Sequence, residues 1–201
     1  MTSSQLIRRP ALIVNARNNQ PIRGYIKLSS AAKSFDFDFH DKIVLDIGSS
    51  TGGFTAYALD AGAKNVIAVE KGTNQMMRPL RFDPRIELHE KTDIFDFKMS
   101  KKPDVIVADI SFLSLKKVLA YAKHHLAKSD TDFLVMLKPQ FEANPEDLHN
   151  GVVKNETIRR QIIKNFESWL KFHNFVIIKK HDNDLKGKTG NRERFYWLKL
   201  V

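Results

Sequence analysis

The sequence predicts an α/β protein with a doubly wound, mostly parallel sheet of seven strands and helices on both faces. Two observations lead to this fold class. Short apolar runs rich in β-branched residues alternate along the chain with longer segments of helical periodicity. The first run ends in a glycine-rich turn, which is typical of the strand-to-helix connection in nucleotide-binding α/β sheets. A chain of 201 residues is also long enough to bury one core without disulfides.

Seven short apolar runs are the predicted strands. The clearest are residues 42–47 (KIVLDI), which end at Gly48, and residues 132–137 (DFLVML), which are stopped by Pro139. Continuous apolar runs of this kind are typical of strands buried on both faces of a parallel sheet. The complete set is residues 42–47, 66–69, 86–89, 104–108, 132–137, 175–179 and 195–200.

Five other segments are predicted helices. Residues 156–172 are amphipathic, and Asn155 is placed to cap their first turn. Gly62 is placed to end the helix over residues 54–61. The complete set is residues 24–37, 54–61, 74–80, 113–126 and 156–172, and residues 141–151 are expected to be a loop.

The charge of the chain is strongly basic and unevenly distributed. Thirty-three Lys and Arg residues against twenty-three Asp and Glu residues give a net charge of +10, which suggests a polyanionic partner, nucleic acid first and an anionic membrane second. The first acidic residue is Asp36, so we predict a basic N-terminal arm over residues 1–22 and one folded domain over residues 23–201. A second basic stretch covers residues 179–199.

Composition excludes several classes of protein. The absence of cysteine excludes a disulfide framework, a cysteine-based zinc site and a thiol nucleophile, and no other metal site is expected. No apolar run approaches the roughly 20 residues that a membrane-spanning helix needs, and residues 1–20 lack the apolar segment of a signal peptide. We therefore expect a cytoplasmic protein and favour nucleic acid over a membrane as the partner.

The first chemical signal is the turn after the first predicted strand, Asp46-Ile-Gly48-Ser-Ser-Thr-Gly-Gly-Phe54. Glycines there let a ligand approach the backbone, and the next strand ends at Glu70, whose carboxylate can accept hydrogen bonds from both hydroxyls of a ribose. The turn has neither the Gly-Lys-Ser/Thr of a triphosphate site nor the Gly-x-Gly-x-x-Gly of a dinucleotide site. Asp46 is a poor neighbour for phosphates and a good one for an amino group. S-adenosylmethionine, which has an ammonium group and no phosphate, is therefore favoured over NAD.

Two charged residues stand at the carboxyl ends of neighbouring predicted strands. Asp109 begins the segment DISF after the fourth strand, and Lys138 begins KPQF after the fifth. Each alone is ordinary, because an aspartate often caps a helix and a lysine is often solvated. Both ends face the ligand crevice of an open α/β sheet, so together they favour a functional pair beside the ligand.

Five ordered motifs together resemble the TlyA (hemolysin A) family, which consists of FtsJ-like ribosomal RNA 2′-O-methyltransferases. They are GSSTGGFT (48–55), GTNQ (72–75), DISFLSLKK (109–117), KPQFE (138–142) and GVV (151–153). The resemblance extends from about Arg23 to the C-terminus. It implies a Rossmann-like methyltransferase fold, S-adenosylmethionine as the cofactor, and ribosomal RNA or ribosomal subunits as the partner, with cytidine as the target nucleotide.

The resemblance also implies the site residues, and it is the only source for two of them, Lys27 and Glu193. The family's catalytic tetrad falls on Lys27, Asp109, Lys138 and Glu193. Its cofactor site falls on Asp46, Gly48, Ser49, Thr51, Gly52, Gly53, Phe54 and Glu70, with Asp93 and Ile94 near the adenine.

The chain departs from the family pattern at several points. Family members usually begin with a small S4-like RNA-binding domain, whereas about twenty residues precede the Lys27 segment here. Asp93 stands where Asn is commoner, and Glu70 where Asp is commoner. We expect the basic arm, the basic C-terminal stretch or an RNA-binding partner to substitute for the S4 domain, with Arg192 and Arg194 contacting RNA.

Three functions remain open from the sequence. The favoured one is transfer of a methyl group to a ribose 2′-hydroxyl of ribosomal RNA. In it, Lys138 acts on the hydroxyl as a neutral base or as a cation, Asp109 orients Lys138, and Glu193 holds Lys27. The alternatives are a non-catalytic RNA- or ribosome-binding protein that retains the fold, and an NAD-dependent oxidoreductase of similar topology.

Overall fold

The computed structural model describes residues 22–183, 185 and 190–201, and these residues form one seven-stranded sheet. The spatial order of the strands is β3-β2-β1-β4-β5-β7-β6. Strands β1 to β5 are parallel to one another, and β7 is antiparallel to both of its neighbours. The bounds are β1 (Ile43–Ile47), β2 (Asn65–Val69), β3 (Ile86–His89), β4 (Val105–Ala108), β5 (Asp132–Leu137), β6 (Phe175–Asp182) and β7 (Arg194–Leu200). The predicted fold class is confirmed.

Five α-helices connect the described strands. They are α1 (Arg23–Phe35), α2 (Gly53–Asp60), α3 (Arg78–Arg81), α4 (Leu115–Tyr121) and α5 (Glu156–Phe172), and α4 continues as a π-helical turn over Ala122–Leu126. The side chain of Asn155 accepts hydrogen bonds from the backbone N–H groups of Thr157 and Ile158, so the predicted cap of α5 is confirmed. None of these helices is long and apolar enough to cross a bilayer.

Two local predictions differ from the structure. The helix predicted over residues 74–80 is only the single turn α3, because Asn74 takes a left-handed backbone conformation (φ +54°) and Pro79 fits only the first turn of a helix. The loop predicted over residues 141–151 contains a short 3₁₀ turn, Pro145–Asp147. The predicted arm, residues 1–22, lies outside the described residues except for Ile22.

Helices cover both faces of the sheet and bury its central strands completely. On one face, Phe166 and Leu170 of α5 pack with side chains from α4 and the strands. On the other face, Leu28 and Phe35 of α1 pack with Phe54 of α2. The apolar runs of the parallel strands are continuous because both sides of each strand are buried.

Helices α1 and α2 touch through two glycines. A Cβ atom added to Gly53 would lie 2.8 Å from the Cα atom of Gly24 and 2.8 Å from the backbone nitrogen of Tyr25. These distances are shorter than any real Cβ contact, and the atoms belong to backbone that cannot rotate away. Gly53 therefore serves the close packing of two helices, in addition to its place beside the predicted ligand turn.

We expect Gly53→Ala to lower the free energy of unfolding by about 1–3 kcal/mol, because the added methyl group overpacks the helix contact. Gly24→Ala is the matched control on the other side of the same contact. Its Cβ would lie 3.3 Å from Gly53 Cα, so we expect a change of less than about 1 kcal/mol. Urea unfolding of both variants measures the difference. Equal losses would mean that the Gly53 contact is not specifically tight.

Candidate active site

The turn between β1 and α2 is shaped by residues in left-handed backbone conformations. Gly48 and Gly52 have φ angles of +79° and +90°, which other residues rarely adopt. The backbone N–H groups of Gly48 and Ser49 donate to the carbonyl of Val69, which ties the turn to the end of β2. The predicted cofactor residues of this turn and Glu70 therefore lie side by side at the carboxyl edge of the sheet.

Asp46 is a completely buried carboxylic acid at the base of this turn. Its Oδ2 atom accepts a 2.6 Å hydrogen bond from the Thr55 hydroxyl, and its Oδ1 atom has no partner. Burial raises the pKa of Asp46 to about 7, the Thr55 bond opposes this shift, and the charge of Asp109 adds to it. The unpartnered Oδ1 atom can accept a hydrogen bond from a ligand, and a cationic donor placed there would favour the ionised carboxylate.

The polar atoms around the turn fit S-adenosylmethionine. The hydroxyl of Ser49 is buried without a partner, as is Oδ1 of Asp46, so this segment offers two buried acceptors that are not yet satisfied. An ammonium group has three donors and satisfies such acceptors, whereas a phosphate has none. The predicted residues Asp46 and Ser49 therefore suit the amino group of this cofactor.

Glu70, which the sequence predicts to hold a ribose, has its carboxylate oriented by the backbone. Its Oε2 atom accepts from the N–H of Ser50 at 2.9 Å and its Oε1 atom from the N–H of Gly72 at 2.7 Å. Each carboxylate oxygen can accept more than one hydrogen bond, so acceptor capacity remains for ribose hydroxyls. The amide of Gln75 lies 3.4 Å from Oε1 and packs the loop against this group.

The remaining predicted cofactor residues take different positions. Asp93 is partly exposed and forms a 2.8 Å ion pair with Lys71, whereas Ile94 is largely buried in the core. Thr51 is exposed on the turn. The Phe54 side chain is buried and stacks on Phe195 in the core, so only its backbone can face a ligand in this turn.

The four residues that the resemblance assigns to catalysis form two close ion pairs. Lys27 Nζ lies 2.6 Å from Glu193 Oε2, and the two side chains are only 9% and 4% exposed. Lys138 Nζ lies 2.6 Å from Asp109 Oδ1 and also donates to the hydroxyl of Ser111 at 2.9 Å. Lysine and carboxylate thus alternate across the edge of the sheet.

The sheet topology explains why these residues meet. β4 and β5 are adjacent and parallel, so Asp109 and Lys138 follow their carboxyl ends at one edge. β7 pairs antiparallel with β5, with Leu137 opposite Arg194, so Glu193 precedes β7 at that same edge. Lys27 reaches it from α1, which packs over that side of the sheet.

Glu142 joins the two loops that carry Asp109 and Lys138. Its carboxylate is 4% exposed and accepts from the Ser114 hydroxyl at 2.8 Å and the Leu115 N–H at 2.6 Å, at the start of α4. Burial raises the pKa of this carboxyl group. Glu142 belongs to the KPQFE motif, but the sequence did not indicate its role. The reason is that its two hydrogen bonds join segments that are distant in sequence.

Two aromatic side chains border the Lys138 pair. Phe112 is 89% exposed and has a left-handed φ angle of +67°. Its ring lies 5.5 Å from the ring of Phe141, and Lys138 Nζ lies 6.0 Å from the Phe141 ring. Phe112 and Phe141 both lie within the motifs of the family resemblance. The exposure of the Phe112 ring and its uncommon backbone conformation could not be predicted from the sequence.

The chain is similar to methyltransferases in sequence and in structure. The pattern of the family described as FtsJ-like methyltransferase matches residues 21–200. YqxC of Bacillus subtilis, named as a candidate rRNA methyltransferase, is 35% identical over 85% of this chain and 62% of its own length. The 23S rRNA (cytidine-2′-O)-methyltransferase TlyA of Campylobacter jejuni is 33% identical over 87% of this chain and 69% of its own length. This chain therefore spans less than two thirds of YqxC.

Solved structures of related proteins show a similar fold. A candidate hemolysin from Streptococcus thermophilus superposes with a TM-score of 0.84 and 32% identity, covering 89% of this chain and 66% of that one. A candidate S-adenosylmethionine-dependent methyltransferase from Listeria monocytogenes has a TM-score of 0.65 and 16% identity, covering 89% of this chain and 98% of that one. The second likeness concerns the fold alone.

We expect Asp46 to make the stability of the protein depend on pH. Its pKa is about 7 in the folded protein and 3.8 as a free group, so between these values the unfolded chain releases a proton that the folded protein keeps. The free energy of unfolding therefore falls as the pH rises from about 4 to about 7 and stays lowered above that. Asp46→Asn removes this penalty, so its melting temperature should exceed that of the wild type by several degrees above pH 7 and match it near pH 4.

Thermal unfolding between pH 4 and pH 8.5 measures this difference. Asp130→Asn, at an exposed position, is the control and should show no gap that grows with pH. A constant difference between the Asp46→Asn variant and the wild type would contradict the buried, protonated state of Asp46.

Proposed function

This chain belongs to the FtsJ-like methyltransferase family and groups with the TlyA and hemolysin A proteins, and from that membership we propose that it transfers a methyl group from S-adenosylmethionine to a ribose 2′-hydroxyl of ribosomal RNA. The observation that carries the proposal is the pair of ion pairs at one edge of the sheet, beside the turn that holds Asp46. Cytidine is the proposed target nucleotide, because the names of the TlyA relatives specify it.

The cofactor has a defined place in this proposal. When bound, S-adenosylmethionine supplies a methyl group made electrophilic by the positively charged sulfur. Asp46 and Ser49 would hold its amino group through the two acceptors that lack partners, and Glu70 would hold the ribose hydroxyls. Asp93 and the backbone at Ile94 would lie near the adenine, and the backbone at Gly48, Thr51, Gly52, Gly53 and Phe54 would line the turn.

Lys138 acts on the ribose hydroxyl of the RNA. As the 2′-oxygen takes the methyl group, its hydroxyl proton passes to solvent water, and negative charge develops on the oxygen before the new bond is complete. The ammonium group of Lys138, oriented by Asp109 and Ser111, stabilises that charge. Lys27, fixed by Glu193, adds a second cation to the same edge. This arrangement supports the cation role over the neutral-base role that the sequence left open.

The surroundings of the pair suit a nucleotide. Phe112 and Phe141 offer aromatic faces on which a base can stack beside Lys138. The intact ion pairs support catalysis over the non-catalytic alternative. We propose residues 23–201 as the methyltransferase domain, and a cytoplasmic location follows from ribosomal RNA as the substrate.

Methyl transfer to unmodified 23S and 16S rRNA transcripts tests the proposal, with tritiated S-adenosylmethionine as the donor. We expect Lys138→Met to reduce kcat by at least about 100-fold, because no charge faces the 2′-oxygen. Lys138→Arg keeps a permanent cation and should retain about 1–10% of the activity, well above the methionine variant, because the planar guanidinium group places its charge differently from an ammonium group. Both variants should bind S-adenosylmethionine like the wild type in calorimetric titrations.

Three outcomes would correct this picture. If Lys138→Arg loses as much kcat as Lys138→Met, the result would favour a lysine that accepts the proton. A wild type that transfers no methyl group to either transcript would overturn the enzymatic function. If Glu70→Ala still binds S-adenosylmethionine like the wild type, the cofactor does not bind at the turn as proposed.

Glu142 provides a separate test of how the catalytic pair is positioned. Glu142→Ala removes the link between the two loops, so we expect kcat to fall about tenfold while the dissociation constant for S-adenosylmethionine changes less than twofold. Glu142→Gln keeps one of the two hydrogen bonds and should be intermediate. Glu146→Ala, an exposed acid in the same loop, is the control. Parallel loss of cofactor binding in Glu142→Ala would indicate general unfolding instead.

A further inference from the structure

A charged cleft of about 370 Å³ lies between α5 and the β6–β7 hairpin. It is separate from the cofactor turn, which follows β1. Five cationic and three acidic side chains line it, so its lining carries a net positive charge. Neither the proposed chemistry nor the cofactor site uses this cleft.

All three carboxylates of the cleft are engaged in ion pairs. Asp182 lies 3.0 Å from Arg159 and also pairs with Arg194. Glu167 lies 3.0 Å from Lys180. The third, Glu156, lies 3.0 Å from Arg192 outside the cleft lining. Arg192 and Arg194, the two arginines that the sequence favoured for RNA, are thus held by carboxylates of this region.

Two cations of the cleft have no such partner. Arg160 and Lys164 are exposed and lie one turn apart on the same face of α5. Their side chains make no ion pair or hydrogen bond within the part of the chain that the structure describes. They are therefore available to an anion, and the engaged carboxylates do not neutralise them.

The cleft is connected to the candidate active site through the hairpin. Arg194 lines the cleft and directly follows Glu193, whose carboxylate accepts a 3.1 Å hydrogen bond from the Asn183 side chain. Arg194 is also paired across the sheet with Leu137, the residue that precedes Lys138. The cleft therefore reaches the same edge of the sheet as Lys138.

We propose that this cleft binds phosphate groups of the substrate RNA next to the target nucleotide, through Arg160 and Lys164. The proposal rests on the function proposed above and names a second contact surface for the same substrate. RNA is the anion that fits, because it carries a charge at every nucleotide and must already lie at this edge for its ribose to reach Lys138.

The test compares the wild type with the double variant Arg160→Ala, Lys164→Ala, using unmodified 23S and 16S rRNA transcripts. Fluorescence anisotropy at several salt concentrations gives the slope of log affinity against log salt. Two lost phosphate contacts should reduce that slope by about 1.4, at about 0.7 per contact with single-stranded nucleic acid. In methylation assays KM for RNA should rise about tenfold, whereas kcat and S-adenosylmethionine binding should stay within twofold of the wild type.

Two controls keep the result specific. Lys171→Ala removes an exposed cation at the far end of the same helix and should leave both the slope and KM unchanged. The double variant Arg160→Lys, Lys164→Arg keeps both charges and should retain the wild-type slope.

The outcomes separate the two proposals. An unchanged slope and KM in the alanine variant would overturn the cleft and leave the methyltransferase function standing. A fall in kcat at saturating RNA would also overturn it, by placing these residues in the chemistry. The wild type could bind RNA without methylating it while the alanine variant shows a reduced salt slope. That result would support RNA binding in the cleft and overturn the enzymatic function. If the wild type binds neither transcript, both proposals fall.

Discussion

The buried ion pair between Lys27 and Glu193 is the contact on which the geometry of the site depends. Both side chains are almost completely buried, and burying a charge is costly unless it is paired. Removing one partner of such a pair typically lowers the free energy of unfolding by about 3–5 kcal/mol. Helix α1 can therefore sit only where Lys27 reaches the start of β7. That position brings Gly24 against Gly53, and the close approach fixes where α2 begins. One electrostatic contact thus aligns the first helix, the last strand and the turn after β1.

Different parts of the carboxyl edge of the sheet present different charged groups. The turn after β1 and the end of β2 present carboxylates, of which Asp46 is buried and Glu70 is oriented by backbone amides. At the ends of β4 and β5, the ammonium group of Lys138 is held by the carboxylate of Asp109. In the proposed reaction, a cationic cofactor and an RNA hydroxyl that becomes anionic would meet neighbouring parts of this edge. Parallel strands make this possible because all of their carboxyl ends meet there.

The sequence predicted those parts of the structure that depend on local pattern. The strands were readable because residues buried on both faces form continuous apolar runs, and the α5 cap because Asn155 acts on its own helix. Lys27 and Glu193 were accessible only through the family resemblance, since an ion pair between the two ends of the chain leaves no local signal. The links made by Glu142 are likewise tertiary.

Some sequence signals were reinterpreted once side chains could be placed. Phe54 lies in a motif of the cofactor turn, yet its ring belongs to the core. Arg194 was chosen from the basic stretch, but its neighbours Asp182 and Glu167 hold it in the structure. Charge counts along a sequence do not reveal which cations are already neutralised, because the acids that pair with them come from other elements.

The position of β7 between β5 and β6 has a consequence for how the chain acquires its fold. During synthesis β6 emerges before β7, yet within the described residues every ladder hydrogen bond of β6 is made with β7. Until β7 follows, β6 is an unpaired strand with apolar side chains such as Val176 and Ile178, the kind of segment that binds chaperones or aggregates. Glu193 arrives with β7, so the ion pair with Lys27 forms in the same late step as the sheet edge. Helix α1 therefore gains this link to the sheet only after nearly the whole chain has been made.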